Sequence, residues 1–186
     1  GKLLISAEYL VLDGAKALAL PTKFGQDLVV EFTSNSMITW KSFDADQSIW
    51  FEDSFAVDGV IYNQITTSNK VTQTLVEILH HAHLLNPSFL LMHKGFCVET
   101  NLSFPKNWGL GTSSTLINNV AQLFEVDAFL LLQNSFGGSG YDIANAQNDG
   151  PIVYQRVNHK FLVTPCAFKP KFHQHLYFKK KKKKQD

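Results

Sequence analysis

The sequence predicts an α+β fold. Strand-like segments rich in Val, Phe, Ile, Thr and Trp crowd the first third of the chain, and helical periodicity takes over in the middle. The two types do not alternate as a doubly wound parallel sheet requires. Gly1 to Leu12 alternates loosely, with Leu3, Ile5, Leu10 and Leu12 apolar, and stops at the turn signal Asp13-Gly14. Residues 17–20, 27–33 and 36–43 read as strands, and 48–51 and 55–62 as two more on either side of Glu52-Asp53-Ser54. Ser68 then reads as the N-cap of a helix whose apolar face is Val71, Leu75, Ile78, Leu79 and Ala82. His93 to Asn101 returns as a strand. A glycine loop over 104–115 leads into a helix over 113–124, Asp127 caps a short helix, and a second glycine loop opens a helix near 141–148. Pro151–Val157 and Phe161–Thr164 read as a hairpin turned at Asn158-His159. No internal repeat is present.

Composition narrows the function classes. A chain of 186 residues with 45% hydrophobic and 18% charged residues is ordinary for a globular protein with a real core. No apolar run approaches the ~20 residues of a membrane span, and the start lacks the layout of a signal peptide. The net charge of +1 hides an asymmetry, because Lys179 to Lys184 supply six of the 17 basic residues. Without them 11 basic face 16 acidic residues, a balance of −5. A mildly acidic body argues against a nucleic-acid-binding face. The lysine run reads as a terminal tail rather than a polyanion site. Cys97 and Cys166 lie in apolar or aromatic surroundings and read as reduced, buried thiols of a cytoplasmic protein, with a single disulfide between them as the alternative.

The chemistry concentrates in the two glycine segments. Phe104-Pro105-Lys106-Asn107-Trp108-Gly109-Leu110-Gly111-Thr112-Ser113-Ser114-Thr115 runs straight into the apolar-periodic stretch Leu116, Ile117, Val120, Leu123 and Phe124. A glycine loop that opens a helix offers unpaired backbone N–H groups and the positive end of the helix dipole to a phosphate. The second segment, Phe136-Gly137-Gly138-Ser139-Gly140-Tyr141-Asp142-Ile143-Ala144, places a carboxylate on a Gly/Ser turn. Phosphoryl transfer needs such a group to orient or deprotonate a hydroxyl. Together they predict an ATP-dependent small-molecule kinase.

Three ordered motifs make the chain resemble the GHMP superfamily of galactokinase, homoserine kinase, mevalonate kinase and phosphomevalonate kinase. Gly1 to Gly14 resembles the family's N-terminal strand and turn, Pro105 to Thr115 its phosphate loop, and Gly138 to Ala144 the turn that carries the catalytic aspartate. The first two segments look closest to the mevalonate kinase branch. The resemblance implies a ribosomal protein S5 domain 2-like N-terminal domain over residues 1–165, with 166–186 the start of a C-terminal region or a lysine-rich tail. It also implies that the family's C-terminal domain, with its third glycine motif, is missing. By the same resemblance, Gly109, Leu110, Gly111, Thr112, Ser113 and Ser114 would wrap the phosphates of ATP, and Ser113 would bind Mg2+. Asp142 would accept the proton of the substrate hydroxyl, and Lys2 would pair with it and stabilise the moving γ-phosphoryl group. Glu8, Tyr9 and Gly140 would lie at the substrate pocket, Tyr9 standing where mevalonate kinases often have histidine. Ala7 replaces the usual glycine, a mild change on a backbone of negative φ. Between the two glycine segments only Glu125 and Asp127 could offer a second metal carboxylate. A mevalonate-type acceptor is the first expectation. A diphosphomevalonate decarboxylase-like enzyme and a non-catalytic ligand-binding domain of the same fold are the alternatives.

Other suggestive clusters read more simply. Glu77, His80, His81 and His83 share helical spacing, but a di-iron arrangement needs a second copy and further carboxylates, so a solvated helix face is expected. His173-Gln174-His175 reads as surface in a late strand. Trp40, Phe43, Trp50 and Phe51 read as sheet packing.

Overall fold

The structure, a computed structural model, describes residues 1–158 and 160–175. The turn residue His159 and the lysine run Lys179–Lys184 lie outside the described residues. Two four-stranded sheets form the frame. One has the order β1 (Lys2–Leu4), β2 (Ala17–Pro21), β7 (Ile152–Val157), β8 (Lys160–Pro165) and is antiparallel throughout. The other has the order β3 (Gln26–Thr33), β6 (Gly95–Leu102), β4 (Met37–Phe43), β5 (Ile49–Ala56). Its central pair, β4 and β6, runs parallel because the helices that join β5 to β6 return the chain to the same end.

Among the described residues six α-helices fill the remaining volume: α1 (Val57–Ile61), α2 (Lys70–Leu85), α3 (Pro87–Met92), α4 (Thr112–Leu123), α5 (Ala128–Ser135) and α6 (Tyr141–Ala146). Strict alternation in β4 sends Ile38, Trp40 and Ser42 inward, where the two apolar residues meet Leu75 and Leu79 of α2, Ile117 and Val120 of α4, and Leu131 of α5. The opposite face carries Met37, Thr39, Lys41 and Phe43, and there Lys41 Nζ lies 3.2 Å from Glu52 Oε1. A smaller core joins α6 to the first sheet through Ala17, Ala19, Ala144, Ile152 and Tyr154.

The α+β class holds, and most elements fall where the residues place them. The differences have physical causes. Residues 49–56 form one strand that continues through Glu52-Asp53-Ser54, since each of these has a ladder partner in β4. The segment read as a strand over 55–62 turns instead into α1, which buries Val57 and Val60 three residues apart against the core. Here tertiary burial overrides the β preference of Val and Ile. Asn69, not Ser68, caps α2: its Oδ1 accepts from Val71 N–H at 2.9 Å. The buried face therefore includes Thr72 and Val76 and leaves Val71 exposed. Pro87 at the first helical position starts α3, a helix with no strong periodicity in the sequence. His173–His175 is a 3₁₀ turn and not a strand.

The histidine face of α2 is not simply solvated. His83 is 8% exposed, and His80 Nδ1 sits 2.9 Å from the Val60 carbonyl oxygen. Cys97 and Cys166 are free thiols, half-buried rather than buried.

Candidate active site

The first glycine segment begins on a small apolar anchor. Phe104 and Leu110 pack with Leu102 of β6, and Leu3 of β1 covers them. Lys106–Trp108 makes a 3₁₀ turn, and Trp108 packs edge-on against Phe24 with ring centroids 5.4 Å apart. Two left-handed residues follow, Gly109 at φ +74° and Gly111 at φ +85°. Only glycine adopts these angles without strain. Gly111 is the N-cap of α4, and no side chain closes the cap, so the first-turn N–H groups of Thr112, Ser113 and Ser114 stay open to an anion. Thr115 Oγ1 donates to the Gln26 side-chain oxygen at 2.7 Å, and Asn119 Nδ2 donates to the Gln26 carbonyl at 2.9 Å. Gln26 thereby fixes α4 to β3, a role the sequence does not advertise.

The second segment is equally constrained. Gly140, at φ +82°, is the N-cap of α6. A Cβ there would meet Tyr154 Oη at 3.0 Å and the Phe129 and Phe161 rings at 3.2 and 3.3 Å. Tyr154 reaches across from β7, and its buried hydroxyl donates to the Ser139 carbonyl. Burial pushes the Tyr154 phenol well above its ordinary range, with Arg156 opposing, so the group stays a neutral donor. This turn delivers Asp142 to the first turn of α6.

Three distant segments then converge. Lys2 Nζ lies 2.8 Å from Asp142 Oδ1, with both side chains mostly buried at 16% and 19% exposure. The Lys2 backbone N–H donates to the Leu110 carbonyl at 3.3 Å, which ties β1 to the glycine loop. Gly111 touches the pair directly, since a Cβ on it would stand 2.9 Å from Lys2 Cε and 3.0 Å from Asp142 Oδ1. An ion pair thus sits against the N-terminus of α4, where no side chain closes the cap. Tyr141 joins it, because Lys2 Nζ also donates to the Tyr141 hydroxyl at 2.9 Å.

Of the remaining sequence-predicted positions, Glu8 and Tyr9 are exposed, Tyr9 at 86%, and no hydrogen bond or ion pair links either to Lys2 or Asp142 among the described residues. Ala7 differs from expectation: its φ is +62°, the left-handed region, so the methyl group is strained where glycine would not be. Ser113 is exposed at the mouth of the helix. Among the described residues no group of three His, Cys, Asp or Glu side chains could hold a metal ion, which covers the Glu77–His83 face as well.

Beside the α4 N-terminus a cavity of about 330 Å³ opens between β4, β5 and α2. Trp40, Trp50, Phe51, Leu75 and Leu116 wall it, and Gln26, Lys70, Thr112 and Ser113 supply polar groups. The sequence-based assignment of the tryptophans to sheet packing holds for Trp40. It holds for Trp50 too, which packs partly buried against the same core; like Trp40 it also lines the cavity, and the Lys106 ammonium lies 4.4 Å from its ring centroid.

Comparison with known proteins gives the fold its place. No protein-family model matches the sequence, and no curated protein matches it. Solved structures do match. A D-glycero-D-manno-heptose 1-phosphate kinase from Bacteriodes thetaiotaomicron superposes with a TM-score of 0.63 at 16% identity, covering 90% of this chain and 58% of its own. An L. major mevalonate kinase solved with R-mevalonate gives 0.59 at 17% identity, covering 91% and 51%. A Lactococcus lactis galactokinase solved with galactose gives 0.56 at 15% identity, covering 89% and 45%. The chain has the fold of the GHMP kinase N-terminal domain, and it spans about half the length of the solved structures it matches.

Proposed function

We propose that this chain is the ATP-binding half of a GHMP-type kinase that phosphorylates a hydroxyl group on a small metabolite. The observation that carries the reading is the Lys2–Asp142 ion pair pressed against Gly111. Strand, phosphate loop and aspartate turn come from remote parts of the chain, and a merely tight connection needs no such convergence. ATP phosphates would lie on the N–H groups of Gly111 to Ser114, and the apolar cavity beside them has room for a nucleoside. A hydroxyl brought to Asp142 would give up its proton to the carboxylate while Lys2 balances charge on the γ-phosphoryl group. No metal cage is needed for Mg2+, since that ion keeps waters and takes most of its protein-side charge from nucleotide phosphates. The exposed Ser113 hydroxyl at the helix mouth is a hard oxygen that could serve as a protein ligand there. When bound, the ion would neutralise phosphate charge.

Mevalonate-type and sugar-type acceptors both occur among the fold's relatives, and mevalonate is the first candidate here. The test is phosphoryl transfer from ATP by the full-length protein to mevalonate, phosphomevalonate, galactose and a heptose phosphate. Transfer to one of these is expected. No transfer to any, with no ATP binding by calorimetry, rejects the reading. Release of carbon dioxide from diphosphomevalonate would instead assign the site to a decarboxylase.

A further inference from the structure

We propose that Tyr141 is a positioning residue for Lys2, the third member of the Lys2–Asp142 unit; the proposal rests on the kinase reading above. A lysine ammonium carries three N–H donors on a freely rotating group at the end of a flexible stem. In this structure the ammonium donates to the Tyr141 hydroxyl at 2.9 Å and lies 2.8 Å from Asp142 Oδ1, an ion-pair contact without hydrogen-bond geometry; the two partners are consecutive residues of α6. The hydrogen bond fixes one N–H direction and the ion pair fixes where the ammonium lies, which leaves its other N–H groups for an incoming anion. A carboxylate alone would leave the ammonium free to turn about the Nζ–Oδ1 line.

The tyrosine is itself held. Its ring lies under the ammonium, 4.9 Å from centroid to Nζ, and packs edge-on against Tyr154 at 6.5 Å. Tyr154 in turn grips the Ser139 carbonyl of the same turn. The Tyr141 carbonyl accepts from Asn145 Nδ2 at 3.1 Å, which steadies the short helix that carries both partners. On the other side the Lys2 stem runs against Gly111, so the ammonium is confined between the phosphate loop and one phenol. The charge-assisted hydrogen bond from Lys2 is the only one that the Tyr141 hydroxyl makes among the described residues. Removing that hydroxyl leaves the ring packing in place and frees only the ammonium.

Tyr141→Phe separates these effects. In the full-length protein, with the acceptor of the panel that wild type turns over, kcat should fall about 10-fold while the calorimetric affinity for MgATP and the thermal midpoint stay at wild-type values. An independent readout needs no catalysis. Competitive acetylation with acetic anhydride, read lysine by lysine by mass spectrometry, should label Lys2 several-fold faster in Tyr141→Phe and leave the other lysines unchanged. Unchanged kcat, or unchanged Lys2 labelling, overturns the proposal. A wild-type protein that turns over none of the panel overturns it through its premise, and the labelling result distinguishes that failure from a wrong Lys2–Tyr141 geometry.

Discussion

Gly111 is asked to do two things at once, and a pair of alanine substitutions separates them. Its φ of +85° places any other residue in the left-handed region, at a cost of roughly 1–2 kcal/mol. A Cβ would also stand 2.9 Å from Lys2 Cε and 3.0 Å from Asp142 Oδ1. Gly109 provides the control: its φ is +74°, but a Cβ there meets nothing within 4 Å. Gly109→Ala should therefore destabilise by roughly 1–2 kcal/mol, which for a domain of this size lowers the thermal midpoint by about 2–8 °C, and Gly111→Ala by at least as much. Only Gly111→Ala drives a methyl group into the ion pair. The lysine end is the movable partner, so the methyl is accommodated by displacing Lys2 from its 2.8 Å contact. Displacing the ammonium also breaks its hydrogen bond to the Tyr141 hydroxyl, and losing one hydrogen bond from a charged group is worth about 1.5–3 kcal/mol, or roughly 10–150-fold in turnover. Calorimetric scans and steady-state kinetics on both variants and wild type check this. Equal turnover losses in the two alanine variants, or wild-type turnover in Gly111→Ala, would refute the claim that the loop apex supports the Lys2–Asp142 pair.

Three further outcomes follow from particular residues. Asp142→Asn should cost about 10²–10⁴-fold in kcat with ATP affinity retained, and Asp142→Asn with Lys2→Met should cost far less than the product of the single losses; full additivity in a double-mutant cycle would separate the two residues. Ala7→Gly should raise stability by about 0.5–1 kcal/mol in a urea titration, because it relieves a left-handed alanine at φ +62°, and a lower midpoint would contradict that backbone. His83 should make the fold acid-sensitive. Burial first, and the neighbouring His80 charge second, hold its pKa below the ordinary value of 6.5. The folded state favours the neutral ring, so its contribution is complete above about pH 6.5 and is lost as pH falls below it. His83→Gln should flatten the wild-type decline in urea midpoint between pH 7.5 and 5.5, and parallel declines would exclude His83 as its source.

Much of the fold was legible because its signals are local. Alternation marks β4 through Ile38, Trp40 and Ser42, the Asp127 cap marks α5, and glycine before an apolar period marks α4. The failures are equally physical. Val57 and Val60 favour strands as single residues, yet their spacing suits one turn of helix once the core beside β5 exists to receive them. Nothing in the residues 68–69 decides between Ser and Asn as a cap, since both side chains accept from the first-turn N–H groups. The buried His83 belongs to the same class of error. Four polar residues in a row of helical positions look solvated until α2 is placed against its neighbours.

The candidate site was legible to the extent that its parts are motifs. Gly109–Ser114 and Gly138–Asp142 could be found by punctuation alone, and the resemblance supplied Lys2. What the motifs lack is everything that holds them at a common point. Gln26 fastens α4, Tyr154 fastens the Ser139 carbonyl, and Tyr141 gives the Lys2 ammonium a second partner, and each acts across at least 15 positions of sequence. Such residues carry no periodicity and no characteristic spacing, because their partners are set by packing rather than by neighbouring sequence. The Ala7 conformation shows the converse. There the replacement of glycine is mild only on a backbone of negative φ, and the turn between β1 and the 3₁₀ segment Val11–Asp13 instead holds Ala7 in the left-handed region. A substitution that looks mild by side-chain chemistry is costly by backbone geometry, and only the angle reveals which applies.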